Sequence, residues 1–98
     1  MNPPLTGAEK HVLRGRAQTI EATIHLGKAG LTDGFITSLD HELAHRELVK
    51  LRFDAFKDER KKLAPEIAAR TGSELLCVVG HVAVFYRKRP ESTGTQPQ

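Results

Sequence analysis

A chain of 98 residues with one cysteine, Cys77, can enclose a single hydrophobic core but not a second domain or a deep catalytic cleft, and it excludes an intramolecular disulfide framework. The net charge is +3 and the pI near 9.3, an excess that favours an anionic partner only where the basic residues share a surface. No basic segment leads into an apolar run at the amino terminus and no stretch approaches the roughly 18 apolar residues of a membrane span, so a soluble, cytoplasmic protein is expected, consistent with a lone thiol.

Thr6 followed three residues later by Glu9 is a capping-box spacing and predicts a first helix over 6–18. Its buried stripe is read as Leu5, Ala8, Val12, Leu13 and Ile20, which places Lys10 and Arg14 together on the opposite, solvent face. Those cations are either candidate phosphate contacts or an ordinary charged surface. A short β-branched run over 22–26 predicts the first strand. Gly27-Lys28-Ala29-Gly30 then interrupts it, and Phe35, Ile36, Leu39 and Leu43 recur at helical spacing. The pattern is strand, glycine loop, helix, with Thr32 as N-cap, Leu31 and Ile36 as a hydrophobic staple, and a helix end near Arg46. Two glycines and a methyl-sized Ala29 permit close backbone approach, and the helix start aims its amides and dipole at the same place. Phosphate suits such a loop. The four letters alone, however, describe a plain strand-to-helix turn more often than a binding loop.

Residues 48–53 alternate, with Val49, Leu51 and Phe53 to one side and Leu48, Lys50 and Arg52 to the other, which predicts a second strand with positive charge on one sheet face. Leu63, Ala64, Ile67 and Ala68 predict a third helix within 55–71, stopped by Gly72. Pro65 requires either a kink or a helix whose regular part begins close to it. Arg60, Lys61 and Lys62 read as a solvated face. The continuous apolar run 75–79, with Cys77 as a small buried hydrophobe, is expected to be a central strand covered on both sides. Gly80-His81 turns it into a hairpin partner over 82–86, and Arg87-Lys88-Arg89 follow. Residues 90–98 form a polar tail expected to be disordered. The order α-β-α-β-α-β-β predicts an α/β fold, one compact domain over 5–89 with three helices and a four-stranded mixed sheet. Strands joined through helices should pair in parallel, and the last hairpin should add an antiparallel strand.

His41-Glu42-Leu43-Ala44-His45 is a literal H-E-x-x-H on the second helix, the pattern of zinc peptidases. At about 100° per residue, Leu43 falls in the buried stripe with Leu39 and Ile36, while His41 and His45 flank the opposite, solvent-facing line. A catalytic zinc needs a third protein ligand and a shielded cleft. Glu66, on the next helix, is the one carboxylate at a plausible distance along the chain. A metal site, a cofactor and an enzymatic activity are therefore not expected, apart from adventitious metal on the histidine pair. His11, His25 and His81 show no ligand spacing. Phe35, Phe53, Phe56, Phe85 and Tyr86 are few and mostly assigned to the core, so base stacking is not expected to dominate any nucleic-acid contact.

Taken together, Leu13-Arg14, Leu26 to Thr32, Glu47 to Arg52 and Gly80 to Arg87 resemble, in order and spacing, the CRM domain (chloroplast RNA splicing and ribosome maturation), in its free-standing bacterial, YhbY-like form. The resemblance covers roughly residues 5–88. It implies a fold similar to the C-terminal domain of translation initiation factor three, RNA binding centred on the GxxG loop, and action on precursors of the large ribosomal subunit. Carried over by position, the loop falls on Gly27, Lys28, Ala29 and Gly30, the helix start on Leu31 and Thr32, and the basic positions on Arg14 and Arg87. Gln18 stands where relatives often have histidine, and Ala22 where proline is common. The combined expectation is a non-catalytic, monomeric RNA-binding protein. Lys28, Arg14, Lys10 and the Arg87-Lys88-Arg89 cluster supply charge around the loop, and large-subunit ribosomal RNA is the partner. The alternatives are binding of tRNA, an intron-like RNA or a ribosomal protein and, remotely, a zinc hydrolase built on the H-E-x-x-H of 41–45.

Overall fold

In the computed structural model, which describes residues 5–88, both halves of the capping box form. Thr6 Oγ1 accepts from the Glu9 amide at 3.1 Å, and Glu9 Oε1 accepts from the Thr6 amide at 2.9 Å, starting α1 (Gly7–Ala17). There follow β1 (Ile24–Leu26), α2 (Asp33–Arg46), β2 (Leu48–Phe53), a 3₁₀ turn (Lys57–Glu59), α3 (Arg60–Thr71), β3 (Glu74–Val79) and β4 (Val82–Tyr86). The three helices and the four-stranded mixed sheet are those expected from the pattern.

The strand order β1-β2-β4-β3 corrects two expectations. β1 and β2, joined through α2, do pair in parallel, with Leu26 opposite Phe53. β2 and β3, joined through α3, do not pair, because β4 lies between them and runs antiparallel to both. The apolar run 75–79 is thus an edge strand with Val79 69% exposed, and β4, with Ala83, Val84 and Phe85 buried, is the inner one. A two-residue hairpin turn sets β4 beside β3 but leaves open on which side the rest of the sheet continues. The Gly80 φ of +58° supplies the positive angle that such a turn takes at its first position.

The two sheet faces bury separate clusters. Val49, Leu51, Phe53, Ala83 and Phe85 pack with Leu39 and Leu43 of α2 and Ala64 and Ile67 of α3. Full burial of each large side chain there contributes about 1.5–3 kcal/mol. On the other face, Leu48, Leu76 and Val84 pack under Leu13 and Ala17 of α1. The alternation read in 48–53 is therefore real, with Lys50 on the α1 side, donating from Nζ to the Ile20 carbonyl at 3.0 Å. Burial, and next the Glu47 carboxylate, raise the Tyr86 phenol above its ordinary value, which keeps it neutral against this smaller core.

The seam of α1 differs from the expected stripe. Leu13 and Ala17 are buried while Ala8 is exposed and Val12 is 60% exposed, so the strip that meets the sheet runs through 10, 13, 14 and 17. Lys10 and Arg14 consequently flank the seam and are half-buried against the sheet. The third helix is shorter than 55–71. Phe56 adopts a left-handed conformation (φ +57°) that separates β2 from the 3₁₀ turn, and α3 begins at Arg60. Pro65 lies on its exposed side in the second turn, where the lost hydrogen bond would have gone to the exposed Lys61. The first strand is likewise shorter than 22–26. Arg89 and the polar tail of 90–98 lie outside the described residues.

Candidate nucleic-acid interface

The glycine loop is built on a fixed base. Leu26, fully buried, ends β1, and its carbonyl accepts from the amides of Asp54 and Ala55, both at 3.0 Å, binding the loop's entrance to the exit of β2. The Gly30 amide donates to the Gly27 carbonyl at 3.1 Å, closing a turn over Lys28 and Ala29, and the Thr32 amide donates to the Gly30 carbonyl at 2.9 Å. Gly30 has φ +77°, and a Cβ there would stand 3.6 Å from the Phe56 ring. Gly27 is different: a Cβ there would meet nothing within 4 Å, so the space above it is open.

The helix start is as expected. Thr32 Oγ1 accepts from the Phe35 amide at 3.0 Å, and the first intrahelical bond runs from the Ile36 amide to the Thr32 carbonyl at 3.0 Å. Leu31 and Phe35 pack against the main core and hold the loop's exit. The amides of Asp33 and Gly34 precede that first bond, and Asp33 adds a carboxylate that itself complements the dipole. Between the loop, β1 and the first turns of α2 lies an open cleft of about 400 Å³, lined among others by His25, Gly27, Ala29, Thr32 and Ser38. Lys28 is exposed at its edge. This concavity can accept an oxyanion of a flexible or folded backbone.

Among the described residues, the structure does not gather the other candidate cations around this loop. Because Leu26 faces Phe53 at one end of the sheet and Leu48 faces Tyr86 at the other, Arg87 and the exposed Lys88 stand at the far end, roughly 17 Å away along β2. Arg87 is engaged there. It donates from Nη1 to Asp40 Oδ1 at 2.6 Å and to the Thr71 carbonyl at 2.7 Å, and from Nη2 to the Asp40 carbonyl at 3.1 Å. Lys10 is also drawn to the far end, with Nζ 3.4 Å from Glu74. Arg14 lies on the α1 face, in a groove of about 500 Å³ shared with Lys50, Cys77, Val79 and Val82. The cysteine is half-buried in it.

Residues that were not assigned to the loop from the sequence stand nearer it. Phe56, one of five aromatics expected to lie mostly in the core, is 40% exposed and reaches Gly30. Lys62, read as part of a solvated face, lines a second cleft with Gly30, Leu31 and Phe56. His25 Nδ1 lies 2.9 Å from Asp54 Oδ2, and Arg52 Nε lies 3.3 Å from Asp54 Oδ1, an arrangement whose side chains are about half exposed and which contributes little to stability. Arg52 was legible from strand alternation. Phe56 was not, because its exposure follows from a left-handed backbone that no local pattern announces.

His41 and His45 are both exposed while Leu43 is fully buried, and the His45 ring nitrogen Nδ1 lies 2.9 Å from the His41 carbonyl. Glu42 accepts from Thr23 Oγ1 at 3.1 Å and from Arg46 Nε at 3.0 Å, and Glu66 lies 3.9 Å from Arg70. Among the described residues no three His, Cys, Asp or Glu side chains are placed to hold a metal ion, and no helix is long and apolar enough to cross a membrane.

Comparison with known proteins bears on the family and the fold. The chain is 30% identical over 88 residues to a probable RNA-binding protein of Pseudomonas aeruginosa, covering 89% of this chain and 85% of that one. It is 30% identical over 89 residues to an RNA-binding protein of Haemophilus influenzae, covering 90% of each. A Staphylococcus aureus protein, described with its solution structure as a candidate RNA-binding protein, superposes with a TM-score of 0.76 at 37% identity, covering 90% of this chain and 93% of its own. With the CRS1 / YhbY (CRM) domain profile matching residues 5–87, nearly all of what the structure describes, the chain belongs to the CRS1 / YhbY (CRM) domain family.

Proposed function

We propose that this protein is a non-catalytic RNA-binding protein that takes backbone phosphate at Gly27 to Gly30 and the start of α2, and that it acts in assembly of the large ribosomal subunit. The observation that carries the first part is the open cleft before a capped helix start, with Gly27 facing free space and Lys28 at its edge. Support also comes from relatives of matching length that are named as RNA-binding. Lys28 gives the charge nearest the loop, and Arg14 with Lys50 gives a second basic strip on the α1 face. Arg87 enters as a residue of the fold. Contacts of this kind read backbone and shape more than base sequence, which suits folded ribosomal RNA.

The ribosomal part rests on the family resemblance. RNA recovered after crosslinking in living cells tests it, and fragments of large-subunit precursor RNA are the expected yield. Recovery of tRNA or of intron-like RNA instead would move the proposal to those partners. Recovery of no RNA, with a ribosomal protein crosslinked in its place, would end it.

A further inference from the structure

Phe56 is a large apolar side chain, 40% exposed, on a backbone with φ +57° and ψ +35°. A left-handed conformation at a bulky non-glycine residue costs about 1–2 kcal/mol, and exposure of the ring forgoes its burial. Residues held this way concentrate where a ligand is met. The ring does not stand alone. Its Cε2 and Cζ atoms lie 3.6 Å from the position a Gly30 Cβ would take, so the ring tip abuts the loop that receives phosphate in the reading above. Beside it opens a cleft of about 350 Å³ formed by Gly30, Leu31, Phe56, Glu59, Lys62 and Leu63. Its walls are an aromatic ring and two leucines, and its polar groups are one ammonium and one carboxylate.

We infer that Phe56 is a stacking platform for an unpaired nucleobase belonging to the same RNA strand whose phosphate lies on the glycine loop. The inference rests on the phosphate reading of that loop and adds to it a requirement for a single-stranded nucleotide at the contact. An apolar, ring-bounded cleft that shares Gly30 with the cleft proposed to take phosphate matches the two halves of a nucleotide. Lys62 at the rim stands where the next phosphate of the strand would pass. Stacking of this kind tolerates any base, so it adds affinity for single-stranded RNA without a sequence rule.

The test uses a short oligoadenylate and an abasic strand of equal length, with parent, Phe56→Leu, Phe56→Tyr and Lys28→Ala proteins, each first shown folded by circular dichroism. Phe56→Leu keeps an apolar side chain but removes the ring. It is expected to bind oligoadenylate about five- to tenfold more weakly, to bind the abasic strand like the parent, and to show the parent's salt dependence, since no phosphate contact is lost. Phe56→Tyr should retain oligoadenylate affinity. In the parent, the Phe56 ring protons should shift upfield on adding oligoadenylate and not on adding the abasic strand, a readout that survives even if the leucine variant does not fold. Equal weakening of both strands by Phe56→Leu would show that the ring only props the loop, and no weakening of either would show that it has no part in binding; each overturns the inference. If Lys28→Ala weakens both strands while base removal costs the parent nothing, the phosphate site stands and stacking falls. If Lys28→Ala changes neither, the phosphate reading itself fails.

Discussion

Gly30→Asp is expected to weaken RNA binding by about fivefold to several hundredfold while leaving the chain folded. Aspartate tolerates the positive φ that Gly30 holds better than other side chains do, at a cost of about 1 kcal/mol, and its Cβ would meet the Phe56 ring at an ordinary 3.6 Å. The fold can therefore absorb the change. The bound strand cannot, because the carboxylate adds a negative charge to the loop proposed to take phosphate. Two like charges about 4 Å apart repel by roughly 1–4 kcal/mol between bulk water and a protein surface. Two milder variants separate charge from approach. Lys28→Ala should lower affinity about equally for all RNA sequences and reduce the slope of log affinity against log salt by roughly 0.7 to 1, the loss of one phosphate contact. Gly27→Ala places a methyl in space that the protein itself leaves open. Weaker RNA binding by that variant with an unchanged melting temperature would come from the RNA side alone. Binding of large-subunit RNA at parental affinity by all three folded variants would leave the loop as a turn, and the interface would have to be sought along Arg14, Lys50 and Arg52.

Arg87→Ala is expected to destabilise the fold by about 2–3 kcal/mol, read as a lower denaturant midpoint. The guanidinium is 21% exposed and joins three elements: β4 through its own backbone, α2 through both the carboxylate and the carbonyl of Asp40, and α3 through the Thr71 carbonyl. Its backbone amide also donates to the Glu47 carbonyl at 2.9 Å, a bond the substitution keeps. Truncation leaves the Thr71 and Asp40 carbonyls without that donor, and hydrogen bonds to a charged group are worth about 1.5–3 kcal/mol. Half of the Asp40 side chain is in water, which holds the loss below that of a fully buried pair. Arg87→Lys should recover only part of the stability, because one ammonium cannot reproduce the forked donation to Asp40 and Thr71. At denaturant-free conditions the folded fraction should retain RNA affinity. A large loss of affinity without loss of stability would return Arg87 to the RNA surface.

Both expectations trace back to what was and was not local in this chain. Capping, periodicity and turn chemistry act within a few residues. For that reason Thr6 and Glu9, Thr32, the alternation of 48–53 and the Gly80-His81 turn were all readable in order along the sequence, as was the glycine loop with the helix that follows it. The solvent exposure of His41 and His45 was readable too, since helical geometry places them opposite Leu43. Which end of the sheet a residue occupies is not local. Arg87 follows Tyr86 in a chain whose last strand inserts antiparallel between β2 and β3, and that pairing carries it to the end opposite the loop, where Asp40 and Thr71 take up its donors. Lys10 and Arg14 moved from solvent to the sheet because α1 packs along 10, 13, 14 and 17, a choice made by the narrow face that Leu48, Leu76 and Val84 offer it. Phe56 reached the loop because its left-handed backbone, set between β2 and the 3₁₀ turn, turns the ring outward against Gly30, 26 positions earlier in the chain.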